Sequence, residues 1–384
     1  MNAPARHAIS ADHVFDGTSL HRHAAVVMEG SRVIELLPKA EARGLPLTEL
    51  SDGAWLAPGF VDVQVNGGGD ALFNDAPTAA TIATIAAAHR KFGTTGFLPT
   101  LITDTPEKTP LAFAAVQEAM LTEPSVLGLH LEGPFISRDK AGVHQPKFIR
   151  PPTPANIKLL TKPRDGALLV TLAPEQVPAG TIARLAASGI RVSLGHSMAT
   201  YEQTRSAIAE GLSGFTHLFN AMRGLESREP GPTAAALETA SCSYGLIVDG
   251  LHVAPAMLRL ALRGAGNPML VTDAMPPVGG ARSNFKLYGQ EVRLAEGRCV
   301  RDDGTLAGAF LDMASAVRNC VRLLGLPLED ALRLATANPG AFLGLNVGRL
   351  LAGYRADLIA LDPDKVAVLK TWVAGKADDA ANLR

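Results

Sequence analysis

Three observations predict an α/β fold of the (β/α)8, or TIM, barrel type. From Phe60 to Asp273, eight short apolar segments alternate with helical stretches. No Gly-rich dinucleotide fingerprint follows an early strand, which counts against the runner-up, a doubly wound open sheet. Several of the eight segments end in a carboxylate or an imidazole, where a parallel barrel carries its chemistry.

Each element follows from local pattern. Residues 7 to about 56 read as short strands with turns, including a hairpin over 26–34. His7, His13, His21 and His23 lie here without a shared strand-end pattern and read as surface residues. Ala57-Pro58-Gly59 marks a boundary. In the first strand, 60–67, Val61, Val63 and Val65 share one face, and Asp62, Gln64 and Asn66 the other. Such a strand runs between a helix layer and a polar cavity, or lies at an edge facing water. Helix 77–92, strand 96–100, helix 106–121 and strand 126–132 follow. After a loop and short helix over 136–165 come strand 168–172, helix 181–188, strand 191–196 and helix 200–210. Strand 214–217, a short helix near Ala234, strand 246–249, helix 255–262 and strand 269–273 complete eight strands. Segments 285–288 and 291–294 flank Gly289 as a hairpin, and helices 312–324 and 328–336 follow. Strands over 356–361 and 366–373 return to β structure. Residues 1–56 and 348–384 are therefore expected to form one small β-sandwich domain from both chain ends, and 57–347 the catalytic barrel.

Bulk composition narrows the function. With 384 residues and 47% hydrophobic content, the chain can bury a large core. A formal net charge of -1 offers no field for nucleic acid or an anionic membrane. Three cysteines without CxxC spacing form neither a disulfide framework nor a thiolate site, which suits a reducing compartment. No apolar run reaches the ~18 residues of a membrane span, and the first residues lack a secretory core. A soluble, cytoplasmic protein is expected.

The strand ends carry the chemistry. Gln64 and Asn66 follow the first strand, Glu132 the third, His196 the fifth, His217 the sixth and Asp273 the eighth. One Glu and two His are a ligand set of catalytic zinc, with a fourth position open for water. Singly, each has a plainer reading: Glu132 facing solvent, His196 a satisfied core residue, Asp273 a helix cap. Together, at four strand ends, they point to a metal site. His130 reads as a residue that supports the ligand residues from behind or as a structural one, and His89, late in an Ala-rich helix, as a surface residue.

The blocks PGFVDVQVNG (58–67), GLHLEGPF (128–135), GHS (195–197), THLFNAM (216–222), VDGLHV (248–253) and VTDAM (271–275) closely resemble N-acetylglucosamine-6-phosphate deacetylases of the amidohydrolase superfamily. They occur in that family's order and span nearly the whole chain. The resemblance implies an amidohydrolase-type barrel that removes acetate from N-acetylglucosamine 6-phosphate, an amino sugar phosphate. It implies metal ligands at Glu132, His196 and His217, and a catalytic acid/base at Asp273. It implies that His144 contacts the substrate's amide and hydroxyls, and that Asn220, Ala221, Arg228 and His252 bind the sugar phosphate. It further implies a homodimer in which Arg228 acts across the subunit interface. Many superfamily members carry His-x-His where this chain has Gln64 and Asn66. That departure predicts one divalent ion per subunit, Zn2+ first, with Fe2+, Co2+ or Mn2+ as alternatives, and Gln64 hydrogen-bonded to its water or to a ligand. The alternatives are N-acetylgalactosamine 6-phosphate as substrate, a cyclic amide or dipeptide as substrate, or an inactive scaffold, against which the intact ligand set argues.

Overall fold

The computed structural model describes residues 6–378. Its centre is a barrel of eight parallel strands: Phe60–Val65, Thr94–Ile102, Gly128–Glu132, Ala167–Leu172, Arg191–Leu194, Gly214–Phe215, Ser243–Leu246 and Asn267–Leu270. Each pairs with the next, so the expected barrel order holds. The strands are buried on both faces and so read as nearly continuous aliphatic runs, such as Leu168-Leu169-Val170. Outward side chains join the helices in one large core that includes Val61, Leu129, Val170 and Leu194.

The barrel interior is a polar layer. His130 bonds Thr100 Oγ1 at 3.2 Å and Thr171 Oγ1 at 2.8 Å. Thr171 bonds Thr216, which donates to Ser193 Oγ at 2.8 Å. Burial, the largest influence, pushes the His130 pKa down to about 4, so the ring is a neutral bridge. His130 is thus structural, as expected. Glu132, two residues on, points the same way one layer higher.

The helices start where polar caps allow. Thr153 and Thr200 each build a capping box, and Asp312 accepts the Ser315 amide at 2.8 Å to start Met313–Leu324. Helix Ala337–Leu343 escaped sequence reading because it contains Asn-Pro-Gly. Its proline sits in the first turn, where amides lack intrahelical acceptors, so it does not break the helix. The seventh and eighth strands begin before their aliphatic runs, at Ser243 and Asn267, and end earlier than expected. Asp249 and Asp273 therefore stand on the rim, beyond the ladders. The expected hairpin near Gly289 is part of a four-stranded sheet over Asn284–Leu287, Gln290–Ala295, Arg298–Val300 and Leu306–Ala309. His89 is a correction: it is fully buried and its Nε2 bonds Gly67 O at 2.9 Å. The surrounding alanines gave no amphipathic contrast from which that buried face could be read.

Both chain ends share one eight-stranded sheet, in which Leu358–Asp362 lies antiparallel to Trp55–Pro58. Ile9, Val26, Met28, Leu56, Leu358 and Trp372, from both halves of the sheet, meet in a single cluster, a small sandwich core. No helix among the described residues is long and apolar enough to cross a membrane.

Candidate active site

Three of the strand-end side chains converge. Glu132 Oε1 lies 2.9 Å from His196 Nε2 and 2.9 Å from His217 Nε2, and the two Nε2 atoms are 3.2 Å apart. Ligand bonds of 2.0–2.1 Å in a tetrahedron imply edges of roughly 3.3 Å, so the trio fits a single divalent ion. His196 Nδ1 faces the Lys140 carbonyl at 2.7 Å. That acceptor places the ring proton on Nδ1 and leaves Nε2 a bare lone pair, the state a metal requires. Burial opposes ionisation of Glu132, yet hydrogen bonds and charges from both histidines hold its pKa well below the ordinary value. His196 (φ 50°) and His217 (φ 32°) occupy the left-handed backbone region, turning each side chain inward just past its strand.

Asp273 (φ 50°) completes the set. Its Oδ1 accepts from Asn66 Nδ2 at 2.6 Å and from Gln64 Nε2 at 3.2 Å. Gln64 Nε2 also reaches Glu132 Oε2 at 3.1 Å. The amides of the first strand thus spend their donors on two carboxylates. Burial, then the charge of Glu132, pushes the Asp273 pKa up to about 6 despite opposing pulls from His217, His252 and Asn66. A carboxylate poised there suits a general base near neutral pH.

Asn66, Glu132, His196, His217 and Asp273 line a cavity of about 410 Å³, together with His144, Asn220, Ala221 and His252. His144 packs on His196 with ring centroids 4.3 Å apart. Its Nδ1 lies 2.7 Å from Thr103 Oγ1, and the Thr103 amide, which can only donate, approaches at 3.4 Å. That arrangement favours a proton on Nε2. Burial and the nearby His196 lower the His144 pKa well below the ordinary value, so the ring is neutral. Asn220 Nδ2 is buried without a protein partner. His252 Nδ1 meets Asp249 Oδ2 at 2.6 Å, and Asp249 Oδ1 accepts the amides of Leu251 and His252. Arg228 is exposed and lies outside the cavity lining, in which Lys140 is the single Lys or Arg. His7, His13, His21 and His23 are also absent from that lining. Thr103, Lys140 and Asp249 were not singled out from sequence; the partners of Thr103 and Lys140 lie in other segments, whereas that of Asp249, His252, is three residues on in the same block.

A sequence profile of the Amidohydrolase family matches residues 55–378. The chain belongs to the amidohydrolase family. This amidohydrolase is 44% identical to an N-acetylgalactosamine-6-phosphate deacetylase of Shewanella sp. (strain ANA-3), over 86% of this chain and 84% of that one. It is 34% identical to an N-acetylglucosamine-6-phosphate deacetylase of Haemophilus influenzae, over 92% of this chain and 94% of that one. Its fold matches the crystal structure of N-acetylglucosamine-6-phosphate deacetylase from Pasteurella multocida with a TM-score of 0.93 and 33% identity, covering 97% of this chain and 99% of that one.

Proposed function

We propose that this amidohydrolase is a metal-dependent N-acetylglucosamine-6-phosphate deacetylase that releases acetate and glucosamine 6-phosphate. The observation that carries the reading is the meeting of Glu132, His196, His217 and Asp273 on one cavity with a neutral imidazole, His144, beside them. The names of the relatives support the substrate class. Glu132, His196 and His217 would hold one divalent ion, Zn2+ being the first choice for two imidazoles and a carboxylate, ahead of Fe2+, Co2+ or Mn2+. Such an ion supplies Lewis acidity, polarising an acyl oxygen and making water acidic enough to attack at neutral pH.

The chain's own residues do the rest. Asp273 takes the proton of the attacking water and returns it to the sugar nitrogen as the C–N bond breaks. His144 donates from Nε2 to the acyl oxygen as negative charge develops there. Gln64 and Asn66 hold the Asp273 carboxylate in line. Asn220 Nδ2 and the backbone at Ala221 bind the phosphorylated end with His252. Arg228 adds a permanent cation from the neighbouring subunit of a homodimer. Its exposure outside its own cavity supports that assignment. The setting is the cytoplasm, where three buried unpaired cysteines are at home.

The test is acetate release from a panel of N-acetyl sugars with and without the 6-phosphate, each run with and without chelator. Selective, metal-dependent turnover of the phosphorylated gluco sugar is expected. A second reading, the galacto epimer as preferred substrate, is favoured by the 44% identical relative. The two sugars differ only at the C4 hydroxyl, so the ratio of their kcat/KM values decides.

A further inference from the structure

Successive strands of the barrel pair through seven ladders, from Phe60–Val65 round to Asn267–Leu270. The eighth contact, between the last strand and the first, has no ladder among the described residues. It is closed by an isolated bridge, Val65 to Ala274, and a few backbone bonds beyond the strands. Asp273 stands on this seam. Its amide donates to Gln64 O at 3.0 Å, and Asn66 donates to Ala274 O at 3.0 Å.

A buried side chain reinforces the seam. Asp62 is fully buried on the inner face of the first strand, two residues before Gln64. Its Oδ2 accepts from Thr272 Oγ1 at 2.5 Å. Its Oδ1 accepts from the amides of Gln64 at 3.1 Å and Thr272 at 3.3 Å. The Thr272 hydroxyl oxygen then accepts the Ala274 amide at 3.3 Å. The carboxylate therefore grips residue 272 directly and residue 274 through that hydroxyl. Asp273 lies between the two grips with φ at 50°.

We propose that Asp62 is a positioning residue for Asp273: through Thr272 it staples the open seam of the barrel and fixes the turn on which Asp273 stands. This rests on the role given to Asp273 in the deacetylase reading. A left-handed turn at a non-glycine residue persists only where its surroundings over-determine it, and here the staple supplies that constraint. A carboxylate buried without a cation is costly, and no salt bridge reaches Asp62 among the described residues. A side chain of similar size without charge would fill the space with less desolvation; what the carboxylate adds is two bonds across the seam, both to Thr272, and one to the Gln64 amide of its own strand. Asp62 does not line the cavity, so it acts through Asp273 and not on the substrate.

The test uses full-length Asp62→Asn, Thr272→Val and Thr272→Ser. Asp62→Asn and Thr272→Val are expected to lower kcat by about 10–100-fold, the scale of a misplaced catalytic group, with KM and bound metal unchanged. Thr272→Ser, which keeps the hydroxyl, should restore wild-type kcat. The Asp62→Asn/Thr272→Val double variant should lose no more than the worse single one, because the pair acts as a unit. Amide hydrogen exchange of a peptide covering 270–276 is the readout independent of activity. It should quicken in Asp62→Asn and Thr272→Val and not in Thr272→Ser. Unchanged kcat in Thr272→Val, multiplying losses in the double variant, or unchanged exchange would each overturn the staple. A wild-type enzyme inactive on the sugar panel would instead sink the deacetylase reading, while the exchange experiment still decides the staple.

Discussion

Asp273 carries two opposed requirements. It must be ionised to accept a proton, yet burial and the Glu132 charge raise its pKa to about 6. The acid form is inactive as a base, so kcat/KM should fall along an acid limb. A cation held by the trio favours the carboxylate, which places the acid limb at or below that value. A pH–rate profile checks this; a rate that stays flat through that range would remove Asp273 from the role. Asp273→Asn should keep the fold and the bound metal while losing about 10²–10⁴-fold in turnover. At this scale the sequence was informative about Glu132, His196, His217 and Asp273, because each ends or closely follows an aliphatic run that local pattern marks as a strand. It was silent about Thr103 and its bond to His144, 41 residues away, and about the grip of Asn66 on Asp273, 207 residues away. Such contacts exist only once the barrel closes.

Single elements set what the site can hold. The first strand presents amides, not imidazoles, and their donors are already committed to Glu132 and Asp273. Neutral amides are also weak ligands for zinc-like ions. Elemental analysis of protein purified without added metal should therefore find one tightly bound equivalent per chain; two, both needed for activity, would refute the assignment. The third strand has a different constraint. It opens at Gly128, whose φ is 151° and where an added Cβ would lie 1.9 Å from the Ala167 carbonyl oxygen. Gly128→Ala must push apart two paired strands. It should destabilise the protein by about 3 kcal/mol or more, read as a lower Tm, and weaken metal retention by shifting Glu132. Element type was legible from alternation of aliphatic and helical patterns. Element ends were not, because Ser243 and Asn267 join their ladders through backbone bonds that side-chain hydropathy does not report.

Across the whole molecule, the phosphorylated end of the substrate is the test of assembly. In one chain the cavity lining contributes Lys140 but not Arg228. If a partner completes the site, light scattering should find a dimer, and Arg228→Ala should raise KM for the 6-phosphate sugar far more than for the unphosphorylated one. Equal losses on both, or a fully active monomer, would count against it. The barrel was legible at this scale because strands and helices alternate regularly along the chain. The joining of both ends into one sheet was expected only from matching strand character, since pairing partners some 300 positions apart leave no local trace. That sheet also sets a timetable. Trp55–Pro58 pairs with Leu358–Asp362. At roughly 5–20 residues per second of synthesis, the partner strand emerges on the order of 15–60 seconds later. Throughout that interval the nascent chain carries an unpaired strand edge beside a barrel that is still being made.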